Sequence, residues 1–146
     1  IRSISRRVAL QRGSLGLVVI DYLGLMSSDK KRGGEDKRTL EIADITRALK
    51  LMAKELGVPV LLVCQMSRAP EHRDPVKLPI LSDLAESGAI ERDADQVWLL
   101  HRPDATKSEL TVVVAKNRSG PTGPVDIAYF DDQYRFGDVS YRTAHE

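Results

Sequence analysis

The sequence predicts an α/β fold: a parallel sheet with flanking helices, followed by a C-terminal β-hairpin. Three observations lead there. Residues 17–20, Leu-Val-Val-Ile, are an unbroken apolar run closed by Asp21, the pattern of a strand covered on both faces rather than half-buried. Residues 40–56 place Ile42, Ile45, Leu49, Met52 and Leu56 at spacings of 3, 4, 3 and 4, one face of a helix. A second apolar run over 58–63 follows directly, and a strand–helix–strand order of this kind implies a right-handed parallel crossover.

Composition bounds the rest. The 146 residues amount to one domain's worth of chain, and 42% hydrophobic with 29% charged residues is ordinary for a globular protein. No apolar run approaches the roughly 18 residues of a membrane span, and the N-terminus is not a signal peptide. The single cysteine, Cys64, excludes an intrachain disulfide and any Cys-rich zinc site. Together these features favour the cytoplasm. Residues 1–38 carry nine Lys/Arg against four Asp/Glu, whereas the remainder carries thirteen against seventeen. The basic third either faces phosphates or is a solvated surface. The chain opens on Ile1 inside a helical pattern that soon meets a core strand, which predicts a piece of a longer protein.

In chain order, residues 1–11 fit an amphipathic helix, with Ile1, Ile4, Val8 and the 9–10 pair apolar and Arg2, Arg6 and Arg7 between them. Gly13 and Gly16 end it and lead into a strand over 17–22. Residues 27–38 are polar, charged and glycine-containing, hence a surface loop. Gly57 is a natural C-cap for the helix over 40–56, and Pro59 cannot continue it. Cys64 reads as a small apolar residue. Residues 65–79 contain three prolines and several charges, and long loops after parallel strands are often functional. Residues 82–95 read as one or two short helical turns broken at Gly88. Residues 96–101 and 110–115 are a third and a fourth strand, with Trp98 in the core. Residues 124–130 and 133–136 form hairpin arms turning at Asp131 and Asp132, and 141–146 is a frayed tail.

Asp21 ends a buried strand where open α/β sheets bind ligands. It has the form of a Walker B carboxylate serving the Mg²⁺ of a nucleoside triphosphate, or of an Asp that simply starts a turn. Gln65 ends the next strand; read alone, it is a polar residue closing that strand. Gly33, Gly34, Lys37 and Thr39 mimic a phosphate-binding loop, but Asp36 precedes Lys37 and Arg38 separates Lys37 from Thr39. The motif G-x-x-x-x-G-K-[ST] is therefore not met. His72, His101 and His145 are unclustered and suggest no metal site.

Taken in order, these blocks resemble the C-terminal, RecA-like ATPase domain of the bacterial replicative DNA helicases, the DnaB family. The resemblance rests on VVIDYLGLM (18–26), EIADITRALKLMAKELGVPVLLVCQMSRAPEHR (41–73), SDLAESGAIERDAD (82–95) and AKNRSGPTGPV (115–125). It implies a RecA-like P-loop NTPase sheet lacking its P-loop strand, with residues 1–146 as the C-terminal portion of one such domain. The phosphate-binding loop and the catalytic Glu that follows it are expected upstream of Ile1. In such sheets the P-loop strand lies between the strands at 58–63 and 96–101. The chain alone is thus expected either to be unstable or to refold with exposed edges that promote association, and not to hydrolyse ATP.

The resemblance also implies function. It points to a ring, usually a homo-hexamer, that uses ATP and Mg²⁺ to translocate on single-stranded DNA and separate duplex strands, with a primase and a helicase loader as partners and no membrane. Asp21 would hold Mg²⁺, an oxygen-preferring cation. Gln65 would sense the γ-phosphate or the attacking water, since its amide both donates and accepts. Lys116 and Arg118 would reach the ATP of the next subunit, Arg118 as the arginine finger. Their i, i+2 spacing in an extended segment predicts side chains on one side. Glu86, Ser87 and Gly88 would line the channel and touch the DNA backbone. Ala85 stands where relatives commonly have Arg, which weakens that contact. Arg68 and Arg73 would help position ATP or DNA. A recombinase or clock-type ATPase is a second reading within the class, against which the KNRSGP and SDLAESG blocks speak. A reading from another class is a non-catalytic RecA-like remnant or DNA-binding module without its own ATPase activity.

Overall fold

The computed structural model describes residues 1–27, 37–67, 77–84, 87–104 and 106–139, without the side chains of Lys37 and Ser87. The elements run α1 (Arg2–Arg12), β1 (Val18–Ile20), α2 (Lys37–Leu56), β2 (Val60–Leu62), α3 (Ser87–Asp93), β3 (Gln96–His101), β4 (Glu109–Asn117), β5 (Gly123–Phe130) and β6 (Arg135–Gly137). The chain divides into two units, Ile1–Met66 with Leu84–Ala94, and Ser67–Asp83 with Asp95–Glu146. No helix among the described residues is long and apolar enough to cross a membrane.

In the first unit β1 and β2 pair in parallel, Val18 opposite Val60 and Ile20 opposite Leu62. The predicted stripe of α2 is its core-facing side: Ile42, Ile45, Leu49 and Met52 are buried, Met52 most completely. Gly57 ends the helix at φ 64°, a left-handed conformation that costs glycine little and other residues more. α3 packs on α2, where the Thr46 hydroxyl donates to Asp93 Oδ2 at 2.7 Å. Burial works to raise the Asp93 carboxyl, but the Thr46 hydroxyl and the charges of Arg92 and Arg47 outweigh it and hold it below the ordinary carboxylate range. α1 meets α2 through Arg2 and Arg6, both paired with Glu55. Those two hydrogen-bonded guanidinium groups hold the Glu55 carboxyl low.

Three expectations need correction here. β1 and β2 are not covered on both faces: the directly opposed Val19 and Leu61 stay 56% and 44% exposed, because a two-stranded ribbon with these helices buries one face. The apolar positions Ile1, Ile4 and Leu10 of α1 are also exposed, since α1 engages α2 by ion pairs. The helical turns expected over 82–95 are a 3₁₀ turn at Leu81–Asp83 and α3, and α3 starts at Ser87, so Gly88 is its second residue rather than a break within it.

The second unit is a four-stranded antiparallel sheet in the order β3-β4-β5-β6. The expected hairpin is β5-β6, joined by a 3₁₀ turn at Asp131–Gln133. Arg102 clamps that turn, donating to Asp131 Oδ1 at 2.9 Å and lying over the Tyr129 ring. β3 alternates strictly: Val97 and Leu99 are buried, Trp98 and Leu100 exposed. Trp98, expected in the core, is therefore 57% exposed, because period-two geometry gives the buried face to its neighbours. Among the described residues, β2 and β3 belong to separate sheets. Most of the loops expected over 27–38 and 65–79, and the tail over 141–146, lie outside the described residues.

Candidate functional site

The first constellation lies at the C-terminal ends of β1 and β2. The parallel pairing continues past the strands: Val63 N–H donates to Ile20 O and Leu23 N–H to Val63 O, both at 2.9 Å. This backbone lacing brings Asp21 and Gln65 to one open recess of about 380 Å³, lined also by Tyr22, Val63 and Cys64. Both side chains are exposed, and among the described residues neither makes a hydrogen bond. The Asp21–Tyr22 peptide bond is cis. Burial pushes the Cys64 thiol up, which suits an unreactive wall residue.

A carboxylate beside open space fits Mg²⁺, which keeps several waters and binds through one or two carboxylates plus phosphate oxygens. No group of three or more His, Cys, Asp or Glu among the described residues forms a closed metal site. Arg38 is a contributor the sequence did not reveal. Its guanidinium donates to Met26 O at 2.9 Å and Leu23 O at 3.2 Å, fixing the 3₁₀ turn at Leu23–Leu25 that follows Asp21.

The second constellation is the end of β4. The register changes here: Val97 faces Lys116 but Trp98 faces Val114, which leaves Ala115 as an extra residue, a β-bulge. Such an insertion reverses the alternation beyond it. Lys116 thereby joins the face of buried Val97, while Asn117 faces Gln96. Arg118 lies past the strand, in a turn, so the same-side rule that paired it with Lys116 does not apply. Its N–H donates to Asp95 O at 3.0 Å and its Nη1 to Asp95 Oδ1 at 3.3 Å. Both side chains of that ion pair are about half exposed, 49% and 58%, so it is weak and exchangeable.

The expected DNA-contacting loop is seen only in part. Glu86 and Ala85 lie outside the described residues, as do Arg68, His72 and Arg73. Ser87 begins α3, and Gly88 is exposed on it. A Cβ on Gly88 would meet nothing within 4 Å among the described residues, so no close approach to them calls for glycine there.

The family described as "DnaB-like helicase C terminal domain" matches residues 1–138. The chain belongs to that family. Within it, the chain is 47% identical to the replicative DNA helicase DnaB of Mycobacterium intracellulare, across 96% of this chain and 24% of that protein. It is also 47% identical to the one of Leifsonia xyli subsp. xyli, across 96% and 31%, and 41% to the one of Pasteurella multocida, across 96% and 30%. The chain thus spans between 23% and 32% of the length of the curated relatives it matches.

Among solved structures, one ATPase domain superposes with a TM-score of 0.81 at 37% identity, covering 94% of this chain and 50% of that one. A DnaB-like replicative helicase studied for its interactions with primase also gives 0.81 and 37%, covering 94% and 34%. The α/β fold, with its parallel and antiparallel sheets, is that of the RecA-like ATPase domain of DnaB-like helicases.

Proposed function

We propose that residues 1–146 are the C-terminal portion of one RecA-like domain in a replicative helicase motor. The motor couples ATP hydrolysis to movement along single-stranded DNA and to strand separation during replication. The observation that carries this is the meeting of Asp21 and Gln65 in one recess at the ends of adjacent parallel strands, in a chain of the DnaB-like family.

In this reading the Asp21 carboxylate would hold Mg²⁺, which would supply neutralisation of charge on the phosphates of the nucleotide. Gln65 orients the attacking water with its amide, donor and acceptor at once. Arg118 leaves its exposed partner Asp95 for the phosphates of ATP held by the neighbouring subunit, where a planar cation spreads over the transferring oxygens. Lys116 supplies a second positive charge to that ATP. Residues 86–88 touch the DNA backbone. The working form is a homo-hexamer in the cytoplasm, with a primase and a helicase loader as partners.

A second reading is favoured by one fact: residues 1–146 contain no G-x-x-x-x-G-K-[ST] run. By itself, this chain would then be a non-catalytic module that binds DNA. The test is ATP turnover and forked-duplex unwinding by the native gene product carrying these residues, beside the 146-residue chain. The motor reading expects DNA-stimulated turnover and unwinding from the native product and none from the short chain. A native product that binds DNA with a steep salt dependence, hydrolyses no ATP and ignores nucleotide would overturn it in favour of the module.

A further inference from the structure

The turn that carries Arg118 is built around the side chain before it. Asn117 is the last residue of β4. Its Oδ1 accepts from Ser119 N–H at 3.1 Å and from Gln96 Nε2 at 3.4 Å. Its Nδ2 donates to Pro121 O at 3.2 Å. One carboxamide therefore spans the turn from residue 119 to residue 121 and ties it back to β3. The bond to Ser119 N–H is the Asx type, in which a side chain stands in for a backbone turn.

Gly120 closes on the same group: a Cβ there would lie 2.8 Å from Asn117 Nδ2. On the other side, Arg118 N–H is fastened to Asp95 O. The Arg118 backbone is thus bracketed while its guanidinium stays half exposed. That division suits a long cation that must reach a target outside its own fold, because fixed backbone limits the volume its tip explores.

We propose that Asn117 is a positioning residue, setting the turn from which Arg118 reaches phosphate. This rests on the reading of Arg118 given above. Asn is the side chain the geometry requires: it accepts from Ser119 N–H and donates to Pro121 O at once. Ser keeps a weaker acceptor for the turn, and Ala keeps neither bond.

The test uses the native gene product with DNA present, comparing wild type, Asn117→Ala, Asn117→Ser, Arg118→Ala and the double variant Asn117→Ala/Arg118→Ala. Arg118→Ala should lower kcat by about 10³-fold. Asn117→Ala should lower it by about 10- to 100-fold with KM for ATP nearly unchanged, the cost of a misplaced group. Asn117→Ser should recover part of the loss. In the Arg118→Ala background, Asn117→Ala should change kcat less than about twofold, because residues acting through one another are not additive.

A merely structural Asn117 would cost the same factor in both backgrounds, and that result overturns the proposal while leaving Arg118 its role. Unchanged kcat in Asn117→Ala does the same. Wild-type kcat in Arg118→Ala removes the reading of Arg118, and the proposal with it. Should Asn117→Ala fail to fold, Asn117→Ser decides: its loss of kcat must vanish when Arg118 is absent.

Discussion

The recess at the ends of β1 and β2 and the turn after β4 present polar groups in opposite ways. In the recess, backbone lacing does the placing, and the Asp21 and Gln65 side chains face open space without a hydrogen bond among the described residues. At the turn, side-chain bonds do the placing: Asn117 reaches residues 119 and 121, and Asp95 holds Arg118 twice. In the proposed reading the difference matches the reach each group would need. A carboxylate meeting a hydrated cation would work from a short side chain on a rigid strand end. A guanidinium working at a distance would need its base fixed, because its own side chain is long and mobile.

The strongest way to break this comparison is to disable each region separately. Arg118→Ala should cost about 10³-fold in ATP turnover of the native gene product, and Asp21→Asn at least about 10²-fold, the scale of one lost electrostatic contact. Mixing the two inactive variants should restore part of the turnover, since each then supplies the other's missing group across an interface. No restoration in mixed assemblies would place both groups at one centre within a chain.

Gln65→Ala should come next, with kcat lowered about 10- to 100-fold and nucleotide affinity nearly unchanged. An equal loss of affinity would recast Gln65 as a binding group. Gly120→Ala sharpens the other side of the comparison. The added Cβ crowds Asn117 Nδ2, and kcat should fall about three- to tenfold through the same misplacement. Wild-type kcat would mean that the turn tolerates a shifted Asn117.

The smallest effect belongs to the scaffold. Thr46→Val removes the bond to Asp93 and should cost about 1–2 kcal/mol of stability at neutral pH. Asp93 titrates below its ordinary value, so its contribution is present above the usual carboxylate range and is lost as pH falls through the folded value. The difference between wild type and variant in thermal midpoint should therefore shrink below about pH 4. A difference that stays constant with pH would mean that packing, not the charged bond, supplies it.

Much of this molecule was legible before any fold was known. The 3.6-residue stripe of Ile42, Ile45, Leu49 and Met52 and the two apolar runs that pair as β1 and β2 are local signals, and local signals survive in sequence. So does the placing of Asp21 and Gln65 just past those strands, because a polar residue closing an apolar run marks a strand end. The ordered blocks that resemble the DnaB family gave the family to which the chain belongs. Three kinds of feature were decided only by tertiary structure. The bulge at Ala115 and the exposure of Trp98 depend on register, which exists only between paired strands. The docking of α3 on α2 depends on Thr46 meeting Asp93, 47 residues further along the chain. The roles of Asn117 and Arg38 depend on side chains meeting backbone carbonyls and amides in turns, a matter of angles that composition and spacing do not encode.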